Sequence, residues 1–582
     1  MFLATTAIEE FWNPEEKILF LGPWCEVYSE KTRLPGLLKN GWETLPPVLA
    51  EPEEVERAFD YCRVICKTAL TFLSRELDRF LALGKDETYY HIILGNWLAA
   101  FINQVYDRYK ALDKVHKSYP GIHTYILDPS YYPVPWDHDD FMNESARDYL
   151  NLVMFSQLIR EMEFDFTEKV PRAFPESGGR RTFGGVEEGL KFNVFKKVNA
   201  SLNKVSHGES ITINSAYLGS FDNYLKLAVK SRFLFVFDDM QAYKVEVSAK
   251  PDAEFRNSVL PGLEENEFSG ILSRLIPRNI PLLFLEAHRE FREKVLELPI
   301  RKTAAYCTGT GLQYNNIFKF FVAEHRKDVK LVSIQHGAGY GVHRCMATEE
   351  YERSICDVFY TWGWREEDRT RPLPQPRLLP VSGRGKRLLK NQVLLILTMD
   401  PRYLHRIQFP MMTTTFVTRY LDHVIKFLKT VKAPVLIRTY SQDLGHCVRE
   451  RIADAVSGAV FDDLSASSAE RMAESSMVVM GNHGTAFFES MAADRPTVVF
   501  ADPATFRVRS SAAPLFAALR EAKIYHDSPA AAAAHVNGVF DDPGAWWSGE
   551  SVREARGNFV REHALSSENW VESWTRELSR LL

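Results

Sequence analysis

Apolar positions along this chain repeat with two different periods, and the switches between them outline a fold. Short β-branched or aromatic runs at 2–6, 18–21, 210–214, 233–237, 281–285, 303–307 and 330–334 have the length of buried strands. Between 51 and about 111 apolar residues recur every three to four positions with no proline after Pro52, which predicts long helices. Another helix is expected over 149–162. Residues 165–210, which include GGRRTFGGVEEG, are expected to form a mobile surface loop. The proline- and glycine-rich, basic segment 371–390 reads as a linker. Beyond it the cycle restarts. Strands at 392–397, 434–437, 477–480 and 497–500 alternate with helices at 413–431, 446–456 and 485–493, and a helical block runs from 530 to 582. Such alternation signals parallel sheets covered by helices.

At 582 residues the chain exceeds one hydrophobic core, so two or three domains are expected. With 45% hydrophobic residues and a net charge of −5, it lacks the basic balance of a nucleic-acid binder. Seven cysteines are scattered, and Cys62 and Cys66, one helical turn apart, suit buried packing. No CxxC pair or HExxH occurs, so no metal site is expected. The N-terminus has no basic n-region and no run of 18 apolar residues exists, which predicts a cytoplasmic protein without a spanning helix. Trp362 and Trp364, and Trp546 and Trp547, read as packing between domains or helices.

Candidate chemistry lies where strands end, because ligands of open α/β sheets sit outside the carboxyl ends of the strands. The run KLVSIQHGAGYG ends a strand in Gln335, His336, Gly337 and Tyr340. Its glycines let backbone approach an anion, and the imidazole adds a titratable donor. The second junction, GNHGTAFFES, places Asn482, His483, Gly484 and Thr485 at a helix N-terminus, a ready anion site. Glu489 follows one turn later on the same helix face, where it could accept from a ribose diol or simply solvate the helix. Arg402 and Arg438 follow strands and match phosphate or carboxylate, or else form surface ion pairs. Glu286, after PLLFLE, is a candidate acid/base or nucleophile; Asp238 and Asp239 occupy an analogous position. Two junctions in two halves point to a ligand held between two Rossmann-like domains.

The chain also resembles a family of bacterial surface-carbohydrate transferases, distantly similar to the GT-B glycosyltransferases that add Kdo-like ulosonic acids to capsule or O-antigen. The segments that carry the resemblance include YYHIILGNWLAAFINQVYDR, KLVSIQHGAGYG, DVFYTWGW, GNHGTAFFESMAADRPTVVF and WWSGESVREARGNFVREHA. It implies an α/β, GT-B-like fold of two Rossmann-like domains facing a cleft. Residues 1–370 would be the acceptor-side domain with a helical insertion at about 51–162, 371–390 the linker, and 391–582 the nucleotide-binding domain with terminal helices. It further implies a metal-independent glycosyltransferase without a cofactor. Its partners would be a nucleotide-sugar donor, in the first place a CMP-activated ulosonic acid, and a glycan or lipid-linked glycan acceptor. Work at the inner face of the membrane would follow. By this resemblance the GNHGT loop and Glu489 match the nucleotide-binding junction and His336 the QHG element, while no catalytic nucleophile is placed by match. Taken with the strand-end reading, His336 and Glu286 are the catalytic candidates, and Gln335, Gly337, Tyr340, Arg402, Arg438, Asn482, His483, Gly484, Thr485 and Glu489 would bind substrate. Relatives carry small hydroxyl residues where this chain has His483-Gly484. Two alternatives stay open: transfer of a polyol phosphate from a CDP-activated donor, and a noncatalytic carbohydrate- or nucleotide-binding assembly protein.

Overall fold

The computed structural model describes every residue except 188, 207, 259–261, 264, 265, 380–389, 411–413 and 504. Three parallel sheets organise them, each built from the short apolar runs that the pattern predicts or from runs it passes over. The first comprises Phe2–Ala4, Ile18–Phe20, Trp42–Thr44, His123–Leu127 and Asp165–Lys169; numbered in chain order its strands lie 3-2-1-4-5. The second comprises Ile211–Asn214, Phe235–Phe237, Ala305–Thr308, Lys330–Ile334, Val358–Thr361 and Thr370–Pro372, in the order 6-5-4-3-1-2. The third comprises Lys390–Ile396, Val435–Arg438, Val460–Phe461, Ser475–Met480, Thr497–Phe500 and Tyr525–His526, in the order 3-2-1-4-5-6. That last order is the one in which dinucleotide-binding sheets place their ligand where strand order reverses, between strands 1 and 4. The pairing Leu395↔Val479 sets its register.

Two long helices, Pro52–Leu81 and Glu87–Ser118, pack on each other, and the second also packs on the helices Asn316–His325, Ala347–Ile355 and Asp148–Glu161, the last of which covers the first sheet. The first opens on a capping box between Glu51 and Glu54, with Pro52 at its first turn, so its orphan N–H groups are satisfied. The second is buried around most of its circumference, from Tyr89 to Val115, which its weak amphipathicity anticipates.

Several expectations change. Residues 281–285 do not form a strand. Leu282–Phe284 is a 3₁₀ turn whose Leu282 and Leu283 N–H groups donate to the carbonyls of Pro135 and Trp136 at 3.0 and 2.9 Å. The 165–210 region is no surface loop. It supplies the fifth strand of the first sheet, the strand Gly179–Gly184 paired antiparallel with Lys244–Ala249, and the helix Leu190–Ser206. Glycines 178, 179, 184 and 185 have φ between +71° and +96°, so they end these elements instead of dissolving them. Thr370–Pro372, placed at the edge of the linker by composition, is an edge strand, where proline is tolerated. Residues 380–389 of that linker lie outside the described residues.

Two features tie the sheets together. The helix Trp570–Ser579, last in the chain, packs back on the second sheet: Trp574 is buried among Ile213, Cys307 and Val332, and its indole donates to Pro374 O at 2.7 Å. The loop after Ile396 crosses to the first sheet. Arg402 pairs with Asp148 and Tyr403 donates to the same carboxylate at 2.6 Å, while Ala7 N–H donates to it at 3.1 Å. Arg108 donates to Leu404 O at 2.7 Å, and Ile407 N–H donates to Asn103 at 2.7 Å. The loop therefore fills the place beside Thr5 and Trp24 where the first sheet would otherwise take a ligand.

Candidate active site

The third sheet keeps its switch point open. A cavity of about 440 Å³ lies outside the ends of strands 1, 2 and 4, lined by Thr398, Arg438, Thr439, Asn482, Gly484 and Thr485 among others. Gly484 is the N-cap of the helix Thr485–Ala492, so the free N–H groups of its first turn face this space. Arg438 is held rather than mobile. It pairs with Asp462, which is almost fully buried, and its Nε donates to Ser468 at 3.1 Å; Asp462 also accepts from Arg471 at 2.9 Å. Arg471 also pairs with Asp463 and Glu474, so of this network it is the Arg438 guanidinium alone that borders the cavity, where it is a local donor for an anion.

The second sheet brings its own junction to this mouth. Ala338 N–H donates to Thr485 Oγ1 at 3.3 Å, so the QHG loop and the GNHGT loop touch. Gly337 lies opposite Thr485, with room beside it. Gly341 is glycine for packing, because a Cβ there would sit 2.4 Å from the Trp364 ring. Gln335 is structural: it accepts from Trp362 N–H and from the Trp364 indole at 2.9 Å each, and donates to Gly337 O. It fixes the turn from which His336 projects.

His336 stands among Tyr217, Tyr340, Glu352 and Arg406. Tyr340 lies 3.3 Å from its Nε2 and also donates to Glu352 Oε1 at 3.3 Å. Tyr217 is stacked on the imidazole with ring centres 6.4 Å apart. Burial, and then the charges of Arg406 and Arg377, push the imidazole down to about 4. Glu352 is wholly buried, and burial pushes its carboxyl up to about 8 although Gln313, Ser333 and Tyr340 all donate to it. The 3.7 Å approach of His336 Nδ1 to Glu352 Oε1 is therefore a contact between two neutral groups at neutral pH, not an ion pair. Arg406 is the one cation of this cluster with no hydrogen-bond or ion-pair partner among the described residues. It lies near Tyr314, Tyr340 and Glu352, and burial lowers its pKa.

The other predicted residues are placed elsewhere or differently engaged. Glu489 pairs with Arg377 at 2.6 Å, and Arg377 also lies over the Tyr217 ring at 5.3 Å, so the carboxylate joins the two halves. His483 turns away from the cavity into an aromatic box. Phe506, His343 and Phe516 lie 4.4, 5.1 and 5.2 Å from its ring, and neither nitrogen has a hydrogen-bond partner among the described residues. Burial there holds it neutral, which suits packing and not phosphate contact. Arg402 is spent on Asp148. Glu286, forked on Arg256 at 2.7 and 2.8 Å, lies by a separate surface cavity at Pro129, Tyr132 and Arg278 whose wall includes Arg256. It is a scaffold carboxylate. Among the described residues Asp443, Cys447 and Glu450 alone bring three possible metal ligands together. The Asp443 carboxylate already accepts from the N–H groups of residues 445–448, so it caps a loop.

Comparison with known proteins places the whole chain. Residues 1–578 match the LIC12162 family transferase model. The chain belongs to that transferase family. Among solved structures this transferase is similar to MurG of Acinetobacter baumannii, with 12% identity over 64% of this chain and 99% of that one and a TM-score of 0.30. The glycosyltransferase SnogD of Streptomyces nogalater shares 12% identity over 64% and 99%, with a TM-score of 0.32. The spinosyn rhamnosyltransferase SpnG shares 11% over 64% and 100%, with a TM-score of 0.31. No curated protein matches this transferase.

Proposed function

We propose that this transferase moves a glycosyl group from a nucleotide-activated donor, a CMP-linked ulosonic acid, onto a bacterial surface glycan. The observation that carries the reading is the contact of Ala338 with Thr485, which brings two strand-end loops together at the mouth of the 440 Å³ cavity. Donor nucleotide in that cavity would set its phosphate against the helix N-terminus at Thr485 and the charge of Arg438. The sugar would then lie toward His336. Neutral at working pH, the imidazole can take the proton of an acceptor hydroxyl as the glycosidic bond forms and the nucleotide leaves. Arg406, near His336 and without a partner among the described residues, would take the donor's carboxylate, a group that ulosonic acids carry beside the reacting carbon. Neutralising Arg406 in this way removes one of the charges that hold His336 low, so donor binding makes the base stronger when it is needed.

The test is thermal stabilisation by CMP, CDP, UDP, GDP and ADP. Ligand at a hundredfold excess over Kd stabilises by about 2.7 kcal/mol. CMP is expected to raise the melting temperature above the others, and Thr485→Val, which keeps shape but removes the hydroxyl, is expected to weaken that shift. A shift with CDP alone favours polyol-phosphate transfer. A shift with UDP or GDP alone discards the ulosonic donor, and none with any nucleotide rejects the reading.

A further inference from the structure

The helix Leu190–Ser206, LKFNVFKKVNASLNKVS, is amphipathic in a sense opposite to its apolar content. Its inward face is made by Phe195, Asn199 and Asn203, with Phe195 packed on Phe237 at 5.6 Å. Its outward face carries Leu190, Val194, Val198, Leu202 and Val205, spaced by three and four residues and each between 39% and 87% exposed. A core-facing stripe turned to solvent is a costly arrangement for a water-soluble surface, and patches of this kind mark interaction sites. The next helix, Phe221–Lys230, packs beside it through Phe192 and Phe221 and adds exposed Leu225 and Val229.

The charge around the stripe selects what covers it. The helix holds four lysines and no acid, although the whole chain carries −5. Lys197 and Lys204 lie along one flank of the stripe and Lys226 on the neighbouring helix. None of these three has an acidic partner among the described residues. A second copy of the chain docked on this face would set lysine against lysine. An anionic lipid surface meets both demands, taking the apolar stripe into the acyl boundary and the ammonium groups among its head groups.

We propose that the helices Leu190–Ser206 and Phe221–Lys230 form a membrane-docking face that lays this protein on an anionic bilayer. The face begins beside the cleft, because Tyr217, stacked on His336, leads directly into the second of these helices. An acceptor anchored in lipid would then enter from the side on which the protein rests.

The experiment is co-sedimentation of the full chain with vesicles of phosphatidylcholine alone and with about one-third phosphatidylglycerol added. Binding to the anionic vesicles, weakened by salt, is expected. The double variant V194D/V198D and the charge reversal K197E/K204E are each expected to lower partitioning at least about tenfold. All four positions are exposed, so the CMP-induced melting shift of these variants should equal that of the parent protein, which separates this proposal from the donor assignment. Equal binding by parent and variants overturns it, as does a parent protein that stays in solution with both vesicles. Light scattering that shows a dimer dispersed by V194D/V198D assigns the face to a second copy instead and also overturns it.

Discussion

Glu352 illustrates how a single side chain can set the state of its neighbours. Enclosed by Gln313, Ser333 and Tyr340, it keeps its proton to about pH 8, whereas in the unfolded chain it ionises near 4.5. The folded pKa is raised, so its contribution to stability is fully present below pH 4.5 and is lost as pH rises toward 8. Within that window the loss is about 1.4 kcal/mol per pH unit. Glu352→Gln keeps the shape and the accepting oxygen but cannot titrate. Its stability relative to the parent protein is therefore expected to grow between pH 4.5 and 8, read as a widening gap between the two melting temperatures. A constant gap would mean that Glu352 is ionised in the folded protein. Nothing in the run ATEEYERSI separates Glu352 from its solvated neighbours, since burial of one carboxylate in a helix depends on what packs across it. Arg402 and Arg406 present the same problem. Both lie in one short loop, and only the partner Asp148, 254 positions away, decides which guanidinium is left free.

At the scale of elements, the crossing loop after Ile396 shows how one Rossmann-like sheet can be closed so that another serves. Asp148 collects Arg402, Tyr403 and the Ala7 N–H at the edge of the first sheet. Removing it in Asp148→Ala strands a buried guanidinium, which is expected to cost about 3–5 kcal/mol; Asp148→Asn, which still accepts, should lose less. Thermal unfolding of the two variants checks this, and an unchanged melting temperature for Asp148→Ala would show that the loop is not anchored there. Four strands of the third sheet, and the helices between them at Thr414–Thr430, Val448–Ala455 and Thr485–Ala492, were legible because each apolar run sits between clear helical periods, and they depart from expectation by only one or two residues at each end. The two-residue strands Val460–Phe461 and Tyr525–His526, at the sheet's edges, and the helices Ser468–Glu474 and Ala513–Glu521 were passed over, the strands being too short to show a period. The first sheet was hard to read for a physical reason. Trp42–Thr44 is three residues long and only partly buried, and Asp165–Lys169 is a largely exposed edge strand whose charges, Asp165, Glu168 and Lys169, do not alternate, so neither shows a period of its own.

Across the whole molecule the notable imbalance is in histidines. Among the described residues burial lowers eight of them to about 4 or 3, His288 and His343 included, and holds His138 and His483 well below the usual imidazole range. Each binds fewer protons folded than unfolded below its ordinary value of about 6.5, so its contribution is present above pH 6.5 and is lost as pH falls toward 4. Glu352, Asp400 and Asp107 act in the opposite sense, but they are few. The melting temperature is expected to fall steeply from pH 6.5 downward, and a flat profile to pH 5 would show that these imidazoles are solvated.

The return of Trp570–Ser579 to the second sheet has a consequence for how the chain is made. Its indole at Trp574 meets Pro374 across 200 positions of sequence. At a synthesis rate of about 5–20 residues per second, the interval between the two is about 10–40 s. Throughout that time Ile213, Cys307 and Val332 lack the side chains that cover them. The second sheet is thus finished last although most of it is made before the third, and the nascent chain carries an open apolar surface while the third sheet folds in front of it.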